Sequence, residues 1–518
     1  MNLRFSNQFA TISSQSFSIM SFNVLLPNPV GGDGWWCYKM YSPRSFSSTE
    51  ARTVASWNER QQLIKEIVKS AESDIVCFQE ASCETFASDF SFMHELGYEC
   101  NELFRKGRFR PATFWRGDRL ELLGSAIHRD RCLITPFRLK GSDDNKYLWV
   151  ANMHLQAGNE QAVRRFRQTF DCLDTIRKDQ CKLLQSQKSS NKKTKTTSPP
   201  PSFAVVLAGD TNVAGPESGS ISAVDELLST GRLLSTFREG GQVVTTKDKA
   251  IPQMPHFTDP YAYIFGQSKS LHSESPPPPP TMVVEELYSL LSKPVENSTE
   301  ESKLSSTEEG EGTKNDGDES EADPLELSDE AVRLFSNVFN DFASNRIADC
   351  AVMSAADVAR WLTIINGKVG RGSEFRAAVA AMKITEPIQN ETEKGPTSSD
   401  DVSVPSVGIS SSAGGEETDL LPAGYLTLAS FLAIYRAELR QGKVWGLLHD
   451  LAACQHPLPL TDRFFAVRYD RIYVAGDIEI VAVRIDGDSD GDSLRLRCLP
   501  NEKHPSDHIP VVAVLQWR

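Results

Sequence analysis

Residues 74–81 read Asp-Ile-Val-Cys-Phe-Gln-Glu-Ala. Ile75 to Phe78 form a short apolar run of the kind a buried strand uses, and the run stops at the polar pair Gln79-Glu80. Just before it, Leu63, Ile64, Ile67 and Val68 recur at helical spacing between Trp57 and Ala71, so a helix with one buried face leads into the strand. Working outward, residues 17–25 (FSIMSFNVL) alternate as a first strand, and further strand-like runs lie at 112–115, 148–153 and 203–208. A helix carrying Val163, Phe166, Phe170, Leu173 and Ile176 on one face separates the last two. From Phe464 to Trp517 the pattern returns to strands. Strands alternating with amphipathic helices predict an α/β class.

The 518 residues allow about three domains, or one large domain with insertions. A hydrophobic content of 40% is enough for a sizeable core and excludes wholesale disorder. The net charge of −14 argues at first against a phosphate-rich substrate. Its location removes that argument. Glu296 to Glu330 holds 14 acidic residues and two lysines, a local −12, and Glu386 to Asp419 holds eight acids and one lysine, a local −7. Without these two tracts the chain is slightly basic. The ordered part is expected as a discontinuous catalytic domain, 17–275 and 457–518, with a flexible basic loop at 186–202. A Pro-rich and acidic disordered linker is expected at 276–326 and a second linker at 386–420. Helical patterns at 327–385 and 421–455 form an inserted all-α module. Ten scattered cysteines without a Cys-x-x-Cys pair read as reduced thiols, which suggests a cytoplasmic or nuclear setting. The Ser-rich, acid-free N-terminal stretch leaves organelle targeting open, and no apolar run is long enough for a transmembrane segment.

Six strand-like runs end in polar residues: Asn23, Gln79-Glu80, Asn152-Met-His154, Gly209-Asp210-Thr-Asn212, Asp470 and Ser506-Asp507-His508. Strand ends are rigid places on which to build a site. A hard cation such as Mg²⁺ takes one or two carboxylates and completes its shell with water and phosphate oxygens, a role open to Glu80 and Asp507. Asp210 is placed to orient or deprotonate water. Asp470 beside His508 would fix the tautomer of the imidazole and stabilise its charged form. Each piece alone has a plain structural explanation, as a turn, a cap or a packed core histidine. Only the ordered set carries weight.

The segments SFNVL, DIVCFQEA, VANMHL, VVLAGDTN, VRYDRIYV and HPSDHIPVVAVL resemble the endonuclease/exonuclease/phosphatase superfamily, in order and over about half of the chain. The resemblance implies a four-layered α/β sandwich, two mostly antiparallel sheets flanked by helices, with Mg²⁺-dependent phosphoester hydrolysis at one end and Mn²⁺ as the alternative ion. It implies that Glu80 is the principal metal ligand, with Asn23 and Asp507 beside the metal or phosphate. His154 would contact the scissile phosphate, Asp210 would activate the attacking water, and Asn212 would orient the phosphate or that aspartate. Asp470 would hold His508, which would stabilise the charge developing in the transition state. Three positions depart from the family pattern: Met153, Thr211 and Arg471, the last putting the aromatic packing around Asp470 in doubt.

Trp57-Asn-Glu-Arg60 and Arg110-Pro-Ala-Thr-Phe-Trp115 resemble the deadenylase branch, which includes nocturnin and angel. This favours a 3′-to-5′ RNA exonuclease, with Arg60, Trp35 and Trp36 as substrate contacts. The tryptophans can stack on an unpaired base or simply pack their loop. A small phosphorylated substrate, such as an inositol phosphate or a dinucleotide, is the alternative. Lys188, Lys192, Lys193 and Lys195 can touch a nucleic-acid backbone or belong to a solvated loop.

The inserted module resembles a degenerate EF-hand pair, as in plant calcium-binding members of the superfamily. Of the loop positions that would hold calcium, only Asp357, Asp419 and Gly424 fit, so Ca²⁺ is not expected there. A calcium-responsive regulatory protein is therefore the weaker reading, and the insert would dock a protein partner or pack passively.

Overall fold

The computed structural model describes residues 2–6, 15–27, 57–100, 109–141, 146–194, 201–267 except 253, 277–294 except 286–287, 325–384 except 348 and 371, 420–458 except 423 and 441–443, 464–485, and 499–518 except 502. Trp35, Trp36 and Asp419 lie outside the described residues. The chain divides into two compact units, Met1–Glu285 with Asp462–Arg518, and Glu286–Thr461.

In the first unit a seven-stranded sheet has the order Asn2–Phe5, Ile478–Ile485, Val511–Trp517, Ser16–Asn23, Ile75–Ala81, Arg110–Arg116 and Tyr98–Cys100. The second, six-stranded sheet runs Asp470–Gly476, Ser202–Asp210, Lys146–His154, Cys132–Leu139 and Leu120–Leu122, with Ile127–Arg129 pairing Cys132–Leu139 off this path. All pairings in the two sheets are antiparallel except Ser16–Asn23 with Ile75–Ala81 and Lys146–His154 with Ser202–Asp210. Those parallel pairs need crossovers, and the helices Trp57–Ala71 and Ala162–Thr194 supply them.

Strand alternation sorts the side chains into layers. Phe17, Ile19, Ile75 and Cys77 of one sheet meet Leu148, Val150, Val206, Ala208 and Ile472 of the other in one apolar cluster. The opposite faces pack on helices: Met20, Phe22, Val76 and Phe78 against Ile64 and Val68, and Trp149, Ala151, Val205 and Leu207 against Phe166, Leu173 and Ile176. The unit is thus a four-layered α/β sandwich. No helix among the described residues is long and apolar enough to cross a membrane.

Three expectations change. Helix Ala162–Thr194 runs through the first half of the stretch 186–202, expected as a loop, because Lys, Gln and Ser continue an established helix at little cost. The stretch 276–326, expected as a linker, contains ordered strands. Met282–Glu285 pairs with Phe464–Val467, and Ser292–Pro294 with Leu325–Leu327. Val283 gives the first of these an anchor, packing with Leu499 and Ile509. The second unit is also not purely helical. A three-stranded sheet, Asn345–Ile347, Cys350–Met353 and Leu426–Thr427, accompanies the helices Asp329–Phe342, Ala355–Asn366, Gly372–Ile384, Leu428–Arg440 and Val444–Ala453. Its core is aromatic, with Phe335 stacked on Tyr435 at 3.8 Å between ring centroids and Trp361 against Phe431 at 5.0 Å.

The helix Phe86–Asp89 ends on a buried carboxylate. Burial pushes the Asp89 carboxyl up to about 6, against the hydrogen bond from Thr85 and the charge of Arg60. The folded chain therefore holds this proton more tightly than the unfolded chain. Stability from this group is highest at acid pH and falls as pH rises from about 4 to about 6, by at most about 3 kcal/mol. Asp89→Asn is expected to raise Tm at pH 7.5 and leave it unchanged at pH 4, measured by differential scanning calorimetry. An equal shift at both pH values would exclude titration of Asp89 as the cause.

Candidate active site

The inward-facing series of each strand ends in polar residues at one end of the sandwich. Phe17, Ile19 and Ser21 lead to Asn23, Val206 and Ala208 to Asp210, and Val474 and Ile472 back to Asp470. The register places Asp210 opposite His154 on one side and opposite Asp470 on the other, so three strands present these groups in a row. Gly209 is needed for this, because a Cβ there would lie 1.8 Å from the carbonyl oxygen of Met153.

Glu80 departs from alternation. Its even-numbered neighbours Val76 and Phe78 face the helices, and a regular strand would send Glu80 with them. A register shift between Phe78 and Ala81, with Glu80 at φ +67°, turns it toward the site. Such bulges commonly re-aim a side chain next to a reaction centre, and a left-handed non-glycine residue stores strain there. Leu26 N–H donates to Glu80 Oε2 at 2.8 Å and holds the carboxylate in place.

The site is dense. Asn23 Nδ2 donates to Asp210 Oδ2 at 3.0 Å and lies 3.4 Å from Glu80 Oε1. Its amide oxygen, expected beside the metal or phosphate, accepts from Leu25 N–H at 3.1 Å. His154 Nε2 lies 3.9 Å from Glu80 Oε1 and 3.8 Å from Asp210 Oδ2. Asn212, at φ +50°, donates from its backbone N–H to Asp210 Oδ1 at 2.8 Å and from its side chain to Leu155 O at 3.0 Å. His508 Nδ1 meets Asp470 Oδ2 at 2.6 Å, and its Nε2 faces Asp210 Oδ2 at 3.9 Å and Asp507 Oδ1 at 4.0 Å.

The electrostatics follow from this crowding. Burial pushes the Asp470 carboxyl up, and His508 opposes it while Asp210 adds to it. Burial likewise raises the Asp507 carboxyl, with His508 opposing and Asp210 adding. For His508 burial disfavours charge, but Asp470, Asp507 and Asp210 outweigh it and hold the imidazole well above its ordinary range. The carboxylates thus favour the charged form of His508, whose Nε2 faces the space between Asp210 and Asp507. A phosphoryl oxygen there would receive a charged donor.

Arg60 is corrected as a substrate contact. It is 0% exposed, with Nε donating to Pro505 O at 2.7 Å, Nη1 to Leu26 O at 3.4 Å and Nη2 to the carbonyls of Val24 and Leu25. It ties the loop after Asn23 to the segment before Asp507. Asp357 lies in the other unit, where its carboxylate accepts from Ser344, Ser354 and Arg360 and caps the helix Ala355–Asn366.

Several supporting residues have partners that the sequence does not reveal. Gln79 Nε2 donates to Asn152 Oδ1 at 2.8 Å, and Asn152 Nδ2 donates to Phe78 O and Ala112 O, so two buried amides bridge the sheets beneath the site. Thr281 Oγ1 accepts from the N–H groups of Tyr469 and Asp470, each at 3.1 Å, and its carbonyl accepts from Ile509 N–H at 2.7 Å. It joins the strand of Asp470 to the segment of His508. Asp259, at an Asp-Pro helix start, pairs with both Arg468 and Arg471 around Asp470. Arg471 thus fills, with an ion pair, the place where aromatic packing was in doubt. Met153 packs in the outer core, and Thr211 donates to Tyr469 O at 2.8 Å.

Among solved structures, the 2′,3′-cyclic phosphatase ANGEL2 is 13% identical, covering 99% of this chain and 98% of its own, with a TM-score of 0.42. The human nocturnin catalytic domain is 17% identical over 53% of this chain and 80% of its own, with a TM-score of 0.30. TDP2 from C. elegans is 16% identical over 43% of this chain and 54% of its own, with a TM-score of 0.27. The sequence model of the endonuclease/exonuclease/phosphatase family matches residues 20–508, and the chain belongs to that family of phosphoester hydrolases.

Proposed function

We propose that the protein is a Mg²⁺-dependent phosphodiesterase acting as a 3′-to-5′ exonuclease on RNA. The observation that carries the hydrolytic reading is the hydrogen-bonded His508–Asp470 pair facing Asp210 across a space also bounded by Asp507. Among the described residues no group of three or more His, Cys, Asp and Glu encloses a metal. Mg²⁺ does not need one, since one or two carboxylates and water suffice. Glu80 and Asp507 fit that demand as hard oxygen donors, and the upward push on Asp507 from burial and Asp210 is the repulsion a divalent cation relieves. When bound, the ion would polarise a phosphoryl oxygen. Asp210, fixed by Asn23 and Asn212, would take the proton of the attacking water. His154 and the His508 imidazolium would hold the phosphoryl oxygens as negative charge builds. RNA is favoured by the Trp57–Arg60 and Arg110–Trp115 segments that resemble deadenylase-type members.

The other unit supports a degenerate EF-hand pair. Met353 pairs with Leu426 between the two helix-loop-helix segments, as a pair of such loops would require. Asp357 would be a loop's final ligand. Burial alone would raise its carboxyl, but the hydrogen bonds from Ser354, Ser344 and Arg360 hold it down at about 2. Its oxygens are occupied by protein donors, which argues against calcium.

The test is an assay on oligo(A), an abasic duplex and inositol polyphosphates after chelation. Mg²⁺ is expected to restore cleavage of oligo(A), and Glu80→Gln to lower it by about 10²-fold or more and raise the Mg²⁺ requirement. Calcium titration of the whole chain is expected to show no micromolar binding. Intact RNA alongside hydrolysed inositol polyphosphate would make the small-molecule phosphatase the right reading.

A further inference from the structure

A cleft of about 450 Å³ lies on the helix Ala162–Thr194 and the turn after Ile127–Arg129, lined by Arg129, Asp130, Glu160, Arg164, Arg167 and Asp171 among others. It adjoins the reaction centre through Arg131. The carbonyl of Arg131 accepts from His154 N–H at 3.0 Å, and its side chain lies within the electrostatic reach of Glu80, Asp130, Arg164 and Arg110. A second link is Gln168, which accepts from Gln156 N–H at 3.0 Å, just beyond His154, and donates to Asp130 Oδ2 at 2.7 Å in the cleft.

The guanidiniums here are poorly neutralised. Among the described residues, those of Arg131 and Arg167 make no hydrogen bond and no ion pair. Arg164 reaches Asp130 only at 3.7 Å, with both side chains about half exposed. Burial, reinforced by Arg164 and Arg110 against Asp130 and Glu80, pulls the Arg131 guanidinium below its ordinary value. The cleft's three acids balance its three arginines, and Arg131 adds a guanidinium that feels Asp130 and Glu80 as well as Arg164 and Arg110. Guanidiniums without partners beside a phosphoester site match a phosphate, whose oxygens they can bind in bidentate fashion.

We propose that this cleft is a second phosphate subsite, which holds the neighbouring phosphodiester of an oligonucleotide while its scissile phosphate lies at Asp210 and His508. The inference rests on the RNA reading above and adds to it where the adjacent phosphate goes.

The experiment compares wild type with the Arg131→Gln/Arg164→Gln double variant and with Arg167→Gln, on an oligo(A) decamer and on bis(4-nitrophenyl) phosphate, which has a single phosphate. The double variant is expected to raise KM for oligo(A) about 10-fold, and to reduce the slope of log KM against log salt by about 0.7, the contribution of the one single-strand phosphate the subsite holds. Arg167→Gln is expected to move both in the same direction by less. Turnover of bis(4-nitrophenyl) phosphate is expected to stay at the wild-type rate. Unchanged KM and salt slope on oligo(A) would overturn the subsite and leave the RNA reading standing. Equal losses on both substrates would overturn it by placing these arginines at the reaction centre. Wild type that cleaves the small diester but not oligo(A) would sink the RNA reading and the subsite together.

Discussion

Asp210→Asn is expected to reduce phosphoester hydrolysis by about 10³- to 10⁴-fold, the upper range for losing a positioned proton acceptor together with the groups it orients. The substitution keeps the shape, but the amide has one acceptor oxygen where the carboxylate has two, so it can accept from Asn23 or from the Asn212 N–H and not from both. What disappears is the charge and the basicity. The same charge pushes up the carboxyls of Asp470 and Asp507, so removing it relieves repulsion in a buried site. Activity should therefore collapse while Tm stays nearly level, the relieved repulsion offsetting the lost hydrogen bond, as expected where a site is organised for chemistry at the expense of stability. The check is kcat on oligo(A) beside a thermal melt of the same preparation. A variant that keeps a tenth of the wild-type rate would remove Asp210 from the reaction.

Asp259→Ala is expected to cost about 3–5 kcal/mol, the usual penalty for removing one partner from a buried ion pair. The carboxylate faces Arg468, and Arg471 at 3.3 Å, and the two guanidiniums hold its carboxyl down despite burial. It also caps its helix, accepting from Tyr261 N–H at 2.9 Å and Ala262 N–H at 3.2 Å. Both arginines flank Asp470, so the damage should extend to the orientation of His508. Tm is expected to fall on the order of 10 °C. Asp259→Asn, which keeps the cap and loses the charge, should fall between the two. If Asp259→Ala melts within 2 °C of wild type, the triad does not stabilise the strand.

The gathering of the proposed site residues at one end of the sandwich was legible in the sequence because each stands at the end of an apolar run, and a strand's alternation fixes which face it presents. Asp210 and Asp470 follow from that rule alone. Glu80 does not, since counting along its strand sends it to the wrong face, and only the bulge reverses it. Arg60 was misread for a related reason. A motif position says that a cation is near the cleft, but the direction of its donors depends on loops brought together from residues 24–26 and 505. Gln79 and Asn152 stand at strand ends in the sequence, but their bridging role, like that of Thr281, exists only once two sheets are stacked. Asp259 had a local signal, an Asp-Pro helix start, but nothing in the sequence foretold its pairing with Arg468 and Arg471 more than 200 positions away.

The order of strands in the seven-stranded sheet bears on how the chain is made. Val511–Trp517 lies between Ser16–Asn23 and Ile478–Ile485, pairing Ser16 with Gln516. During synthesis at about 5–20 residues per second, the early strand waits on the order of a minute for its neighbour. Throughout that interval it presents an open edge, which invites pairing with other nascent chains. Glu286–Thr461, continuous in the chain, can fold in the meantime. A stop codon anywhere before the last strand would therefore yield a product lacking both a closed sheet and any residual turnover, and such fragments are expected in the aggregated fraction of a cell lysate.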